Sequence, residues 1–208
     1  MKIELLYFLF SLIFLYVINL VLKKFNFLIE RENKSVHRKI FSTKIKKIQS
    51  GGLFFIIVIF ALLWNQNIYL LSSLILMFLL GVCSDIDYIS SPKIRFFFQL
   101  IIITSLITFT STFVENTKIN ILDDLIKNPI FSFVFTSFCI LILVNGCNFI
   151  DGTNNLLIGY FLIVSFCILY LSNSTEIGFN IIYFEIISIS LITLLIFNFF
   201  SIIVMGDS

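Results

Sequence analysis

The stretch Asn145–Leu156, N-G-C-N-F-I-D-G-T-N-N-L, contains five Asn or Asp residues and lies between two long apolar runs. Polar groups at the edge of a hydrocarbon layer need hydrogen-bond partners or water. Asn and Asp side chains supply oxygen ligands, and they can pair with the polar groups of a base or a sugar. The same residue types dominate turns, so a plain turn is the alternative interpretation.

Three further stretches carry side chains of the same kind: the basic segment that contains His37 and ends at Gly52, then Gly81–Gln99, and Phe197–Ser208. Together the four stretches offer carboxylates (Asp85, Asp87, Asp151, Asp207), amides (Asn145, Asn148, Asn154, Asn155, Asn198) and cations (Arg38, Lys93, Arg95). Mg²⁺ usually takes one or two carboxylates and completes its shell with water and substrate phosphates. Lys and Arg neutralise further phosphate oxygens, so the set predicts phosphate chemistry.

Each of these residues also has an ordinary interpretation. Lys93 and Arg95 would serve equally well as cytoplasmic anchors of a membrane helix. His37 and Asp87 would be solvated loop side chains. The acids, amides and bases indicate a functional site only if the chain brings them to one face of a membrane.

The composition defines the elements that must position these residues. The chain has 208 residues, of which 59% are hydrophobic and 12% charged, and its mean hydropathy is +1.08. This predicts an all-α integral membrane protein with about seven transmembrane helices. The apolar runs are Leu5–Leu22, Gly52–Trp64, Ile68–Val82, Phe96–Val114, Ile130–Val144, Leu156–Leu171 and Ile181–Val204. A tight turn at Asn65–Asn67 separates two short runs, and a re-entrant hairpin over Gly52–Val82 is the alternative there.

The positions of the basic residues predict the orientation. Nine Lys or Arg residues lie in Lys23–Ser50, and Lys93 and Arg95 follow the third span. The opposite side has only Lys2, Lys118 and Lys127. Eleven against three places the N-terminus outside and the polar stretches in the cytoplasm. The outer connectors, Glu115–Pro129 and Ser172–Asn180, are expected to be plain solvated loops.

Four ordered motifs resemble the polyprenyl-phosphate N-acetylhexosamine-1-phosphate transferases of glycosyltransferase family 4. The pattern G-x-x-D-D-x-x-x-[LI]-S-P-K-x-R-x-x-x-Q is similar to Gly81–Gln99, and N-x-x-N-x-x-D-G-x-[DN]-x-L-x-x-G is similar to Asn145–Gly159. The pattern F-N-x-x-x-x-x-[VIF]-[ML]-G-D-[SA]-G-S is similar to Phe197–Ser208. The fourth motif, a His in a basic loop before Gly-Gly, is similar to His37 with Gly51 and Gly52.

The chain departs from the family pattern at two informative points. Ser84 stands where the first Asp of the Asp-Asp pair is usual, so Asp85 matches only the second. The sequence ends at Ser208, inside the last motif, whereas the family continues with further helices. Residues 1–208 are therefore expected to form a single polytopic transmembrane domain, the N-terminal part of a longer fold.

The resemblance implies transfer of a HexNAc-1-phosphate from a UDP-sugar to polyprenyl phosphate, with release of UMP. It implies Mg²⁺ as cofactor, with Mn²⁺ as the alternative, and Asp207 as metal ligand. Asp85 and Asp151 would be catalytic, Asp85 by activating or orienting the acceptor phosphate. The substrate-binding residues would be Asn145, Asn148, Asn198, Lys93, Arg95 and His37.

The implied partners are undecaprenyl or another polyprenyl phosphate, a UDP-N-acetylhexosamine and membrane lipid, without nucleic acid and with a homodimer left open. The implied location is the bacterial inner membrane, and the implied pathway is the synthesis of an envelope polysaccharide or of peptidoglycan. Two alternatives stay open. One is a non-catalytic truncated homologue. The other is a polytopic transporter, for which Glu185 is the candidate intramembrane acid.

Overall fold

The computed structural model describes residues 2–25, 28, 49–65, 67–86, 88–89, 91–150, 155–174, 181–200 and 202–203. Within these ranges every regular element is an α-helix. The helices are α1 (Lys2–Phe25), α2 (Gly51–Leu63), α3 (Ile68–Asp85), α4 (Pro92–Thr110), α5 (Asn120–Ile126), α6 (Pro129–Ile150), α7 (Leu156–Ser174) and α8 (Ile181–Phe199). The prediction of an all-α membrane protein is confirmed.

Five of the described helices, namely α1, α3, α4, α6 and α8, are long and apolar enough to cross a membrane. The apolar helices Gly51–Leu63 and Leu156–Ser172 are shorter. Large apolar side chains such as Leu6, Phe10 and Ile13 are more than 60% exposed, as lipid-facing residues would be. Each of the seven predicted runs is helical, while the number of crossings and their orientation stay predictions.

Local chemistry explains where several helices begin and end. The Asn67 side chain caps α3, because its Oδ1 accepts from the backbone N–H groups of Tyr69 at 3.0 Å and Leu70 at 3.2 Å. Pro92 starts α4 earlier than the predicted Phe96, since proline suits the first helical position. The same helix stops at Thr110 because Ser111 adopts a left-handed conformation with φ of 51°.

The connector between α4 and α6 was expected to be plain, yet it contains α5. The backbone N–H and the hydroxyl of Thr117 each donate to Asp123 Oδ1 at 2.7 Å. These two hydrogen bonds hold the pKa of the Asp123 carboxyl below its ordinary value of 3.8. They also fix the first turn of α5, where a carboxylate is favourable to the helix dipole.

The chain divides into two compact units. Unit 1 comprises residues 1–62 and 150–207, and its described helices are α1, most of α2, α7 and α8. The buried residues of its hydrophobic core are Leu15, Ile18, Leu22, Phe54, Ile158, Leu191, Leu194 and Ile203. Hydroxyl pairs also join its helices: Ser11 and Thr193 lie 2.7 Å apart, and Ser188 donates to Ser165 at 3.0 Å.

Unit 2 comprises residues 63–149 and contains α3, α4, α5 and α6. The buried residues of its hydrophobic core are Ile103, Ile107 and Leu141, with Met77 packed against them. The rings of Tyr69 and Phe109 stack with their centroids 5.2 Å apart and join α3 to α4.

Candidate functional site

The last turn of α3 carries Ser84 and Asp85 at the predicted cytoplasmic end of unit 2. The chain reverses just after it, because the backbone N–H groups of Tyr88 and Ile89 both donate to the carbonyl of Cys83, at 2.9 and 3.2 Å. A carboxylate at a helix C-terminus is unfavourable to the helix dipole. The position of Asp85 is therefore better explained by a nearby cation or ligand than by the stability of the helix.

Arg95 supplies a cation in the same place. It lies in the first turn of α4, and its Nη1 donates to Ser84 Oγ at 3.3 Å. Ser84 is 8% exposed and Arg95 is half-buried, so this guanidinium is held beside the end of α3. Lys93 lies two residues earlier and is exposed. Of the two predicted phosphate-binding cations that the structure describes, Lys93 and Arg95, the fold positions Arg95 by a side-chain hydrogen bond.

Gln99 is a polar residue of this region that the sequence motifs do not single out by role. It lies one turn after Arg95, and with Ile103 and Ile107 it forms the buried stripe of α4. Its side chain is 4% exposed, and its Oε1 accepts no hydrogen bond from any described residue. Such a buried acceptor destabilises a fold unless water or a ligand satisfies it. The i, i+4 spacing of Arg95 and Gln99 is the sequence signal that could have found it.

Asn145 reaches the same level of unit 2 from α6. Its Nδ2 donates to the carbonyl of Leu141 at 2.9 Å, and Leu141 belongs to the unit 2 core together with Ile103. Gln99 is one turn from Ile103 and Asn145 is one turn from Leu141, each on the predicted cytoplasmic side. We call the set Ser84, Asp85, Arg95, Gln99 and Asn145 the charged layer of unit 2.

The charged layer combines donors for an anion with oxygen ligands for a cation. The Arg95 guanidinium matches phosphate oxygens in geometry and charge. The described residues contain no group of three or more His, Cys, Asp or Glu side chains that could hold a metal. One carboxylate with neighbouring amide and hydroxyl oxygens still fits Mg²⁺, which takes most of its remaining ligands from water and phosphates.

The remaining predicted site residues divide into two groups. Asn198 lies in α8 of unit 1, is 5% exposed and has an Oδ1 without a hydrogen-bond partner among the described residues. Asn148 lies in the last turns of α6. His37, Asp151 and Asp207 lie outside the described residues, so their assignments stay predictions, as do the roles of the others.

The helices define a multi-pass membrane protein, and the charged layer gives one of its units the side chains that phosphate chemistry uses. Residues 67–208 match the model of a family described as glycosyl transferase family 4, and the chain belongs to that family. Comparison with curated proteins and with solved structures gives no match.

Family membership makes the protein a membrane sugar-phosphate transferase in general terms, and it favours an enzyme over a transporter. A lipid-linked substrate fits both the family and the membrane helices.

Proposed function

We propose that the protein transfers a HexNAc-1-phosphate from a UDP-N-acetylhexosamine to polyprenyl phosphate at the cytoplasmic face of the bacterial inner membrane. The products are a polyprenyl-diphosphate-sugar and UMP. The observation that carries the proposal is the hydrogen bond from Arg95 to Ser84, directly beside Asp85, at the end of unit 2 where a lipid headgroup would lie. Family membership supports the same reaction class.

In this reaction an oxygen of the polyprenyl phosphate attacks the sugar-linked phosphorus of the UDP-sugar. The bond between that phosphorus and the bridging oxygen breaks, and UMP leaves with the bonding electron pair. The bond from the anomeric carbon to oxygen stays intact, so the anomeric configuration of the sugar is unchanged. The acceptor oxygen is already ionised near neutral pH, because the second pKa of a phosphate monoester lies near 6.

The departure at Ser84 is consistent with such an acceptor. A hydroxyl acceptor would need a general base, and a carboxylate would be the natural residue for that role. Ser84 instead accepts a hydrogen bond from Arg95 and leaves the negative charge to Asp85. Arg95 and Lys93 would hold phosphate oxygens, and Asp85 would orient the acceptor phosphate.

We include Mg²⁺ in the proposal, with Asp207 as a ligand because its position matches the metal-binding Asp of the family motif. When bound, the ion would stabilise the negative charge that accumulates on the diphosphate during transfer. Asn148, Asp151, Asn198 and His37 would contribute to the binding of the nucleotide sugar.

The test uses the full-length gene product in detergent, with polyprenyl phosphate, Mg²⁺ and UDP-GlcNAc carrying a different label in each phosphate. We expect the uridine-linked label in UMP and the sugar-linked label in the lipid product. Added UMP should inhibit the forward reaction and release UDP-GlcNAc from the labelled lipid. Release of UDP, or a lipid product without the sugar-linked phosphate, would overturn the proposal.

A further inference from the structure

Four side-chain oxygen atoms at the predicted cytoplasmic end of unit 1 are shielded from solvent and accept no hydrogen bond within the described ranges. They belong to Asn19, Ser50, Asn155 and Asn198, while a fifth such atom, Ser172 Oγ, lies at the opposite end of α7. The side chains of Asn19, Ser50 and Asn198 are only 9%, 0% and 5% exposed. Each buried acceptor of this kind destabilises the unit, so four of them at one end require a physical reason.

Asn155 and Asn198 lie at the same depth in the unit. The hydroxyls of Ser165 in α7 and Ser188 in α8 are 3.0 Å apart and mark a common level. Asn155 precedes Ser165 by ten residues, and Asn198 follows Ser188 by ten residues. At 1.5 Å per residue both amides are about 15 Å from the hydroxyl pair, because the two helices run in opposite directions in the predicted topology.

Asn19 and Ser50 lie at a matching depth on α1 and at the start of α2. The rings of Phe14 and Phe54 have centroids 6.0 Å apart. Asn19 follows Phe14 by five residues and Ser50 precedes Phe54 by four, so their depths differ by about 1.5 Å.

The hydroxyls of Ser11 in α1 and Thr193 in α8 are 2.7 Å apart and mark a common level of these two helices. Asn19 follows Ser11 by eight residues, and Asn198 follows Thr193 by five. The difference of three residues corresponds to about 4.5 Å along two helices that run in the same direction in the predicted topology. The four acceptors therefore form one level beside the unit 1 core, and we call them the neutral layer.

The chemistry of the neutral layer differs from that of a phosphate site. Its members are three carboxamides and one hydroxyl, none of them charged, and the atoms without partners are three carboxamide oxygens, which only accept, and the Ser50 hydroxyl, which can also donate. Buried acceptors are best satisfied by uncharged hydroxyl or N–H donors. An ionised phosphate, which only accepts hydrogen bonds, could accept one from the Ser50 hydroxyl but would leave the three carboxamide oxygens unsatisfied.

We infer that Asn19 is a further substrate-binding residue, which with Ser50 and Asn198 accepts hydrogen bonds from the uncharged part of the donor substrate. That part is the hydroxyl- and amide-bearing sugar or the N–H- and hydroxyl-bearing nucleoside. The inference rests on the proposed function and concerns residues of unit 1 alone. Asn19 lies outside residues 67–208 and before every motif that indicates the family, so no sequence pattern assigns it a role.

The test compares Asn19→Leu with Ser11→Ala in the full-length gene product. Leu is close to Asn in size and removes the buried acceptor, so the Tm without substrate should stay unchanged or rise. The KM for UDP-GlcNAc should rise about 10-fold, as expected for the loss of one good hydrogen bond in a buried site, with the KM for polyprenyl phosphate unchanged. Ser11→Ala removes a satisfied hydroxyl on the same helix and should lower the Tm without changing either KM.

A second readout separates the two sources of donor groups and does not require turnover. The shift in Tm caused by uridine and by N-acetylglucosamine-1-phosphate is measured for the unmodified protein and for Asn19→Leu and Asn19→Ala. Loss of one of these shifts in both variants supports the inference and identifies the group bound. If Asn19→Leu keeps both shifts and the KM of the unmodified protein, the inference is wrong while the proposed function stands. Failure of the unmodified protein to transfer sugar phosphate would instead overturn the proposed function.

Discussion

In unit 2 the residues one or two turns beyond the hydrophobic core include Asp85 and Arg95, and the guanidinium donates to Ser84 at 3.3 Å. In unit 1 the four acceptors of the neutral layer carry no charge, and the Lys residues that follow on α1, Lys23 and Lys24, are exposed. In the charged layer the Arg95 cation is hydrogen-bonded to a neighbouring side chain. In the neutral layer the buried oxygen atoms have no hydrogen-bond partner among the described residues.

The difference has a simple electrostatic meaning. Charges near hydrocarbon are expensive unless they are paired, so the charged layer holds its cation against α3 even without substrate. Neutral amides can stay buried at a smaller cost. Phosphate oxygens suit the charged layer, and hydroxyl and N–H groups suit the neutral layer.

The two units also differ in how their helices are joined. Hydroxyl pairs connect α1 to α8 and α7 to α8 in unit 1. In unit 2 the described contacts between α3, α4 and α6 are mainly apolar, with the stacked rings of Tyr69 and Phe109 at one end. Both solutions are usual in membranes, where helix association depends on close packing and on interhelical hydrogen bonds.

The predicted topology places both layers on the cytoplasmic side of the membrane, and thiol labelling can test this directly. Single-Cys reporters at Asn155 in unit 1 and at Ser91 in unit 2, in a Cys-free background, should be shielded from an impermeant thiol reagent in intact cells. Reporters at Ser174 and Asn120 should label fully. Labelling at Asn155 together with protection at Asn120 would show that the predicted orientation is inverted.

The next largest effect should come from the cation of the charged layer. Arg95→Gln should lower kcat/KM by at least about 10²-fold, because a fixed cation near a transferring phosphate contributes strongly to transition-state stabilisation. Lys127→Gln is the matched control, since Lys127 pairs only with Asp124 on an exposed surface in the structure described here. Steady-state kinetics with UDP-GlcNAc measure both variants, and equal losses would remove Arg95 from the phosphate site.

Ser84 allows a finer test of the same layer. Ser84→Ala removes the acceptor for Arg95 and should lower kcat/KM about 10-fold, which corresponds to one lost hydrogen bond to a charged group. Ser84→Asp restores an acceptor for the guanidinium and should retain more activity than Ser84→Ala. If Ser84→Asp is the weaker enzyme, Ser84 does not act by positioning Arg95.

The hydroxyl pairs of unit 1 should have a smaller effect, on stability alone. A double-mutant cycle with Ser165→Ala and Ser188→Ala should give a coupling energy of about 0.6 kcal/mol, typical of interhelical hydrogen bonds in membrane proteins. Reversible unfolding in mixed micelles measures it. Additive single-variant effects would mean that the 3.0 Å contact contributes nothing to the packing of α7 on α8.

The smallest predicted effect concerns the exposed α5 segment of unit 2. The bonds from Thr117 lower the pKa of Asp123, so their contribution to stability is complete above the ordinary pKa of 3.8. It is lost as the pH falls through the lower pKa of the folded state. Hydrogen exchange of α5 amides should therefore accelerate only at pH values below about 4, and Asp123→Asn should remove that pH dependence.

Part of the fold follows from the sequence because apolar runs of membrane length have few structural alternatives. All seven runs are helices, and Asn67 caps α3 as the turn between two runs requires. The extension of α6 to Ile150 was not predicted. Asn and Gly at 145 and 146 favour a loop, but propensity differences below about 1 kcal/mol per residue do not end a packed helix.

The site was harder to predict than the helices. The motifs named Asp85, Arg95 and Asn145, and the structure places all three in one unit, while the division of their roles stays a prediction. Asn19 is a single polar residue in an apolar run, where no pattern marks it, and Gln99 closes the Gly81–Gln99 motif without an assigned role. Their significance depends on burial and on the lack of a partner within the described chain, and both are properties of the packed structure.

The most direct test of the division between the layers is the thermal stabilisation of two variants by two ligands. Arg95→Gln and Asn19→Leu are each heated with Mg²⁺ and either inorganic pyrophosphate or UDP-GlcNAc. Arg95→Gln should lose the increase in Tm caused by pyrophosphate, and Asn19→Leu should keep it. Asn19→Leu should lose part of the additional increase that UDP-GlcNAc gives over pyrophosphate. If both variants lose the two increases to the same extent, the two layers do not differ in the chemical groups that they bind.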